Sequence, residues 1–144
     1  MVEGFGDMGF SLAFAAIGSA LGTGVAGMAA IGAWKRAFMQ NKGAAFIMLA
    51  FVGAPLTQTI YGMILMNAIS KAAAQGAFFW GVGILGGVAM GTSAMMQGKA
   101  GAGAADALAE TGKGFGNYMM VLGVIETVAL FVMVFLLGKV VMLT

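Results

Sequence analysis

Charged residues are so sparse in this 144-residue chain that they divide it into four long runs: 8–34, 43–70, 72–98 and 114–138. Each run holds 25 to 28 residues, and a single charge, Glu126, interrupts the last. A helix needs about 20 residues, at about 1.5 Å each, to cross the hydrocarbon of a bilayer. With 61% hydrophobic and 8% charged residues, too little polar surface remains to cover a soluble domain. The expectation is an all-α membrane protein of four transmembrane helices. Having neither Cys nor His, the chain is excluded from thiol chemistry, zinc or haem ligation by His, and imidazole acid–base work. The run GTGVAG is no phosphate loop, because no strand precedes it and no GK[ST] follows.

The two halves resemble each other. KGAAFIMLAFVGAPLTQTIYGMIL begins at Lys42 and KGFGNYMMVLGVIETVALFVMVFL at Lys113, and a glycine-studded helix precedes each. This reads as a tandem duplication of a helical hairpin. The first hairpin covers 1–72, with helices at about 8–33 and 43–70; the second covers 73–144, with helices at about 78–109 and 114–142. Small residues four apart, such as Gly18/Gly22 and Gly87/Gly91, let backbones approach closely. The first and third helices are therefore expected to form an inner layer, and the bulkier second and fourth to face lipid. Lys35, Arg36 and Lys42 follow the first helix, while Glu3 and Asp7 precede it. By the positive-inside rule the loops after the first and third helices face the cytoplasm and both termini face outward. The acidic N-terminus lacks the basic region of a cleaved signal.

Glu126 is the only charge between Lys113 and Lys139 and sits midway between them. A carboxylate at mid-membrane depth costs about 2.5–3.5 kcal/mol on insertion scales, so it implies a function and a partner. That partner is a proton, a metal cation or a basic side chain; Lys99 is one candidate, although a lysine near a helix end usually snorkels to water. Hairpin geometry places Gln97 level with Glu126 about a turn near Thr111–Gly112, and Gln58 level with Gly22 about a turn near Gln40. The second helix adds Pro55, Thr57, Gln58 and Tyr61, with Ala54, Gln58 and Tyr61 sharing one face at i, i+4 and i+7. Proline frees a backbone carbonyl of the preceding turn. One carboxylate, two amide carbonyls, a hydroxyl and a backbone carbonyl make the donor set of a hard cation. A proton site requires only a carboxyl in apolar surroundings, so the surplus oxygens favour Na+ over H+.

These residues resemble the proteolipid, or rotor-ring, component of V-type ATPases in its four-helix duplicated form. The resemblance rests on GSALGTG, PLTQTIYG, QGK and VIET, and looks closest to bacterial sodium-translocating members. It implies a transported Na+ held by Ala54 (through its carbonyl), Thr57, Gln58, Gln97 and Glu126, with Tyr61 hydrogen-bonded to the glutamate. Leu56 stands where some relatives have glycine. The implied assembly is a closed homo-oligomeric ring in a prokaryotic cell membrane. It would meet a stator membrane subunit with a basic residue, the central-stalk subunits of a soluble ATPase head, and the lipid bilayer, but no nucleic acid. The chain itself would be a non-catalytic subunit without a nucleotide site. A competing expectation is a small four-helix multidrug antiporter using Glu126, although such sites are usually lined by aromatics, and Trp34 and Trp80 sit near helix ends.

Overall fold

Four helical rods make up the computed structural model, which describes residues 9–143. They are α1 (Phe10–Met39), α2 (Phe46–Ala74), α3 (Trp80–Thr111) and α4 (Phe115–Met142), and no strand occurs among the described residues. The acidic Glu3 and Asp7, and the expected first helical residue Met8, lie outside the described residues. Three rods, α1, α2 and α4, are long and apolar enough to cross a membrane. At 32 residues α3 has the length; its glycines, Gln97, Lys99, Asp106 and Glu110 make it less apolar than the other three, and the expected four-helix architecture is present.

Each helix departs a little from its expected bounds. α1 continues to Met39 instead of stopping near 33, carrying Trp34, Lys35 and Arg36 on its last turns. The charges end the apolar run, but a backbone hydrogen-bond ladder continues freely into water. Residues 40–45 then fold back along α1, and Trp34 Nε1 donates to the Ala45 carbonyl at 3.1 Å. α2 begins at Phe46 and runs to Ala74, which places Lys71 in its last turn, where a cation complements the exposed carbonyls. Inside α2 the chain is α-helical at Leu49–Gly53, tightens to a 3₁₀ turn at Ala54–Leu56 and resumes at Thr57. Pro55, which cannot donate to the preceding turn, sits in that tightened segment. Between α3 and α4 the backbone takes left-handed conformations at Gly112 (φ 65°) and Gly114 (φ 91°), which glycine adopts without strain.

Glycines bring α1 and α3 into backbone contact. A Cβ built on Gly18 would fall 1.9 Å from the Gly91 carbonyl oxygen, and one on Gly98 would fall 2.1 Å from that of Gly22. The order of these pairs along both helices shows that α1 and α3 run parallel. Ser11 Oγ donates to the Gly62 carbonyl at 3.2 Å, and Gly22 lies against Pro55, so α1 and α2 run antiparallel. α3 buries thirteen residues along its length and α4 only four, which makes α3 the inner helix and α4 a peripheral one. Val124, Val128, Phe131 and Phe135 leave a broad apolar face exposed on α4. At the end of the bundle that carries the first loop, Arg36 pairs with Asp106 across α1 and α3.

One expected depth pairing is corrected. Gly22 lies level with Pro55, not Gln58, because the fold-back of residues 40–45 shifts α2 along α1 relative to a tight turn at Gln40.

Substitution of Gly18 by alanine forces α1 and α3 apart, and overpacking of this kind costs about 1–3 kcal/mol. Gly32→Ala, whose new Cβ would meet open space, is expected to be neutral or to stabilise by up to about 1 kcal/mol. Thermal unfolding of the two purified variants in mild detergent checks the contrast.

Candidate functional site

Three helices converge on the Glu126 carboxylate. α4 carries it half-buried, between the exposed Val124 and Val128. Tyr61 of α2 donates its hydroxyl to Glu126 Oε1 at 2.8 Å, and Gln97 of α3 donates Nε2 to Glu126 Oε2 at 3.2 Å. Each carboxylate oxygen thus has one donor. Hydrogen bonds to a charged group contribute about 1.5–3 kcal/mol each, which offsets a substantial part of the insertion cost.

Gln97 is the hub. It is completely buried, and its Nε2 also donates to the Leu122 carbonyl at 3.0 Å. Its Oε1 accepts from Gln58 Nε2 at 2.9 Å. Gln58, equally buried, turns its own Oε1 toward Thr57 Oγ1 at 3.2 Å, and that hydroxyl lies 3.1 Å from the Ala54 carbonyl. A polar chain therefore runs from Ala54 through Thr57, Gln58 and Gln97 to Glu126, ending at Tyr61. The structure brings all six sequence-derived site residues into it.

Its two ends differ chemically. Around Glu126 every acceptor meets a donor. Around Thr57 two acceptors, the Ala54 carbonyl and Gln58 Oε1, approach one hydroxyl that has a single hydrogen to give. Three oxygens so placed are an arrangement that a cation could satisfy, since several lone pairs can face one ion at once.

The 3₁₀ turn at Ala54–Leu56 explains this local crowding. It eclipses positions three apart, and so sets Thr57 over Ala54. Tyr61 follows Thr57 by one helical turn, which carries its ring to the same side of α2. On α3, Ser93 precedes Gln97 by four residues and donates to the Ile125 carbonyl at 2.9 Å.

Sequence reasoning missed Ser93 and the Leu122 carbonyl. The spacing of Ser93 and Gln97 was a usable signal for the first, since two polar residues four apart on an apolar helix mark one face. No sequence signal marks a particular backbone carbonyl on α4. Lys99 is exposed and joins no ion pair among the described residues, so the lysine alternative for neutralising Glu126 is not realised. No group of three or more His, Cys, Asp or Glu gathers among the described residues; an ion here would depend on one carboxylate and neutral oxygens. That donor set fits a monovalent cation better than a divalent one, whose second charge would stay uncompensated.

Tyr61→Phe leaves Glu126 held by Gln97 alone. The freed carboxyl is expected to react several-fold faster with a hydrophobic carbodiimide in the absence of salt, as judged by mass spectrometry of the intact chain.

No curated protein matches the chain. Residues 80–137, which span α3 and most of α4 and include both Gln97 and Glu126, match the family model that describes the C subunit of ATP synthase.

Proposed function

We propose that the chain is a membrane rotor-ring subunit of a V-type ATPase and carries Na+ on Glu126. The observation that supports this most is a half-exposed carboxylate on the most peripheral helix, backed by a chain of neutral oxygens. A carboxylate meant only to hold helices together would be buried between them. Glu126 is reachable from the exposed side of α4, where a neighbouring subunit or lipid would lie.

The match to the ATP synthase C subunit extends over less than half of the chain, on the second hairpin. The first hairpin is then a diverged copy that gave up its own carboxylate and supplies Ala54, Thr57, Gln58 and Tyr61 instead. Several copies of the chain would close into a ring, with the glycine-packed α1 and α3 inside and α2 and α4 outside. The multidrug-antiporter alternative is not favoured, since Tyr61 is the only aromatic bonded to Glu126 among the described residues and the family match points elsewhere.

In the proposed cycle an ion enters from one side through a stator subunit and meets Glu126. The carboxylate supplies the charge, and Thr57 Oγ1, Gln58 Oε1, Gln97 Oε1 and the Ala54 carbonyl supply neutral oxygens. Tyr61 and the Gln97 amide hold the carboxylate in place throughout. A loaded site is neutral and can face hydrocarbon, whereas a bare carboxylate there is penalised by several kcal/mol, so only loaded sites turn away from the stator. A basic stator residue would displace the ion as the site returns. Each ion moving with the membrane potential gains about 2.3 kcal/mol per 100 mV. A central stalk would couple the turning to nucleotide hydrolysis or synthesis in a soluble head. The cell membrane of a prokaryote is the proposed location, with the α1–α2 and α3–α4 loops on the cytoplasmic side.

Sodium is favoured over the proton by the oxygens crowded around Thr57, which a proton on Glu126 would leave unused. Carbodiimide modification of Glu126 distinguishes the two, because the reagent attacks the protonated carboxyl. Millimolar NaCl is expected to block labelling, less effectively as pH falls and protons compete. Labelling indifferent to sodium at every pH would leave a proton carrier. Glu126→Gln is expected to abolish ion transport in reconstituted vesicles while the ring keeps its mass in mild detergent; transport that survives the substitution would sink the rotor reading.

A further inference from the structure

Ser19 is the one buried side chain among the described residues whose polar atom has no hydrogen-bond partner. Its relative exposure is 2%, so water does not satisfy it from outside, and leaving a hydroxyl buried without a partner is unfavourable. Several other hydroxyls of the apolar helices behave differently. Thr23, Thr92 and Thr127 each donate to a carbonyl of their own helix, and Ser11 reaches across to Gly62. Ser19 makes neither kind of bond.

Register shows what it faces. Ser11, Ala15 and Ser19 follow one another at intervals of four along the face of α1 that meets α2. Gly62 of α2 lies against Ala15, and Pro55 lies against Gly22. Gly62 also meets Ser11 and Leu12, so Pro55 and Gly62 bracket the stretch of α2 that packs along α1 between Ser11 and Gly22, and Ser19 and Gln58 both lie within it. Ser19, four residues after Ala15, comes level with Gln58, four residues before Gly62. Gln58 is fully buried, and its amide carries two hydrogens, of which Gln97 Oε1 takes one.

We infer that Ser19 is a positioning residue for the ion site: its Oγ accepts the second amide hydrogen of Gln58 when the site is loaded and so keeps Gln58 Oε1 turned toward the ion. This rests on the sodium reading above and extends it to α1, the one helix that contributes no side chain to the hydrogen-bond chain around Glu126. A carboxamide presents its oxygen to a cation only while its nitrogen is held the other way. Gln97 Oε1 alone cannot hold it, since that oxygen is itself drawn toward the ion on loading. An acceptor outside the ion's reach is then required behind Gln58, and Ser19 is the buried group that stands there with capacity to spare.

The test uses the assembled protein in native membranes and NaCl as the only probe. The quantity read is the sodium concentration that half-protects Glu126 from carbodiimide at a fixed alkaline pH. Ser19→Ala is expected to raise it about fivefold, the worth of one neutral hydrogen bond, and to leave labelling without sodium unchanged. Alanine favours helix at least as well as serine, so folding is not at stake. In a Gln58→Ala background the same substitution is expected to add nothing, because the group that Ser19 positions is gone. Equal half-protection in wild type and Ser19→Ala would overturn the inference, as would a fivefold effect that persists without Gln58. A hydroxyl that merely turns onto the Ala15 carbonyl of its own helix would give that first result. If the wild type itself shows no sodium protection, the sodium reading fails along with this one; protection in the wild type with an indifferent Ser19→Ala removes this one alone.

Discussion

Backbone contact between α1 and α3 is the constraint on which everything else in the bundle depends. Where the Gly18 and Gly91 backbones touch, no side chain separates the helices. Lipid gives transmembrane helices no hydrophobic reason to associate, so close approach and dispersion must supply it. Bringing α1 so near leaves α3 with little of its surface outside, and both α2 and α4 then pack on its remaining sides. That is why one residue, Gln97, can bond to α2 and α4 together. With large side chains at the glycine positions α3 would stand farther out, and its carboxamide could not bridge the two.

The polar chain through Gln97 illustrates how a membrane interior handles charge. Tyr61 and Gln97 satisfy the two carboxylate oxygens one apiece, and both N–H groups of Gln97 are spent on donation. What remains unspent is oxygen: Gln58 Oε1, Thr57 Oγ1 and the Ala54 carbonyl stand closer to one another than to any surplus of hydrogen. An excess of donors would point to an anion and a balanced set to pure structure. The excess of acceptors is what ties the proposed cargo to a cation with a need for several ligands.

Much of this was legible in the sequence, and the reason lies in how few charges the chain has. Twelve charged side chains in 144 residues act as boundary marks, and the α3–α4 hairpin follows from placing Gln97 and Glu126 at equal distances from the turn. Marks of that kind describe hydrocarbon, not helix, which is why α1 overran its expected end by six residues to Met39. The fold-back at 40–45 was invisible for a related reason: it is held by Trp34 Nε1 on the Ala45 carbonyl, a contact with no spacing rule behind it. Within the site, helical spacing nominated Gln58 and Tyr61, depth in the hairpin nominated Gln97, and isolation in an apolar run nominated Glu126. The Ala54 carbonyl came forward through family resemblance. The Leu122 carbonyl and Ser93 depend on how α3 and α4 are rotated about their axes, and near-uniform apolar sequences carry little information about rotation.

The unequal halves of the chain have an electrostatic logic. In the proposed duplication, at an offset of 71 residues, Pro55 stands opposite Glu126. On the proposed sodium reading, a second carboxylate near the site would leave a net negative charge with a single ion, and the penalty of facing hydrocarbon would persist even when loaded. Protonating the second carboxyl would restore neutrality, but a protonated carboxyl offers a hydrogen where the ion needs an oxygen. Replacing it by proline and a following Thr-Gln removes the charge and keeps the oxygens, because proline's missing N–H and the 3₁₀ turn bring backbone and hydroxyl acceptors to the same place. On this reading the second hairpin supplies the charge and the first supplies most of the neutral oxygens. Within the polar chain the two hairpins meet through Gln58–Gln97 and Tyr61–Glu126, so on the proposed reading neither would be a complete ion site alone.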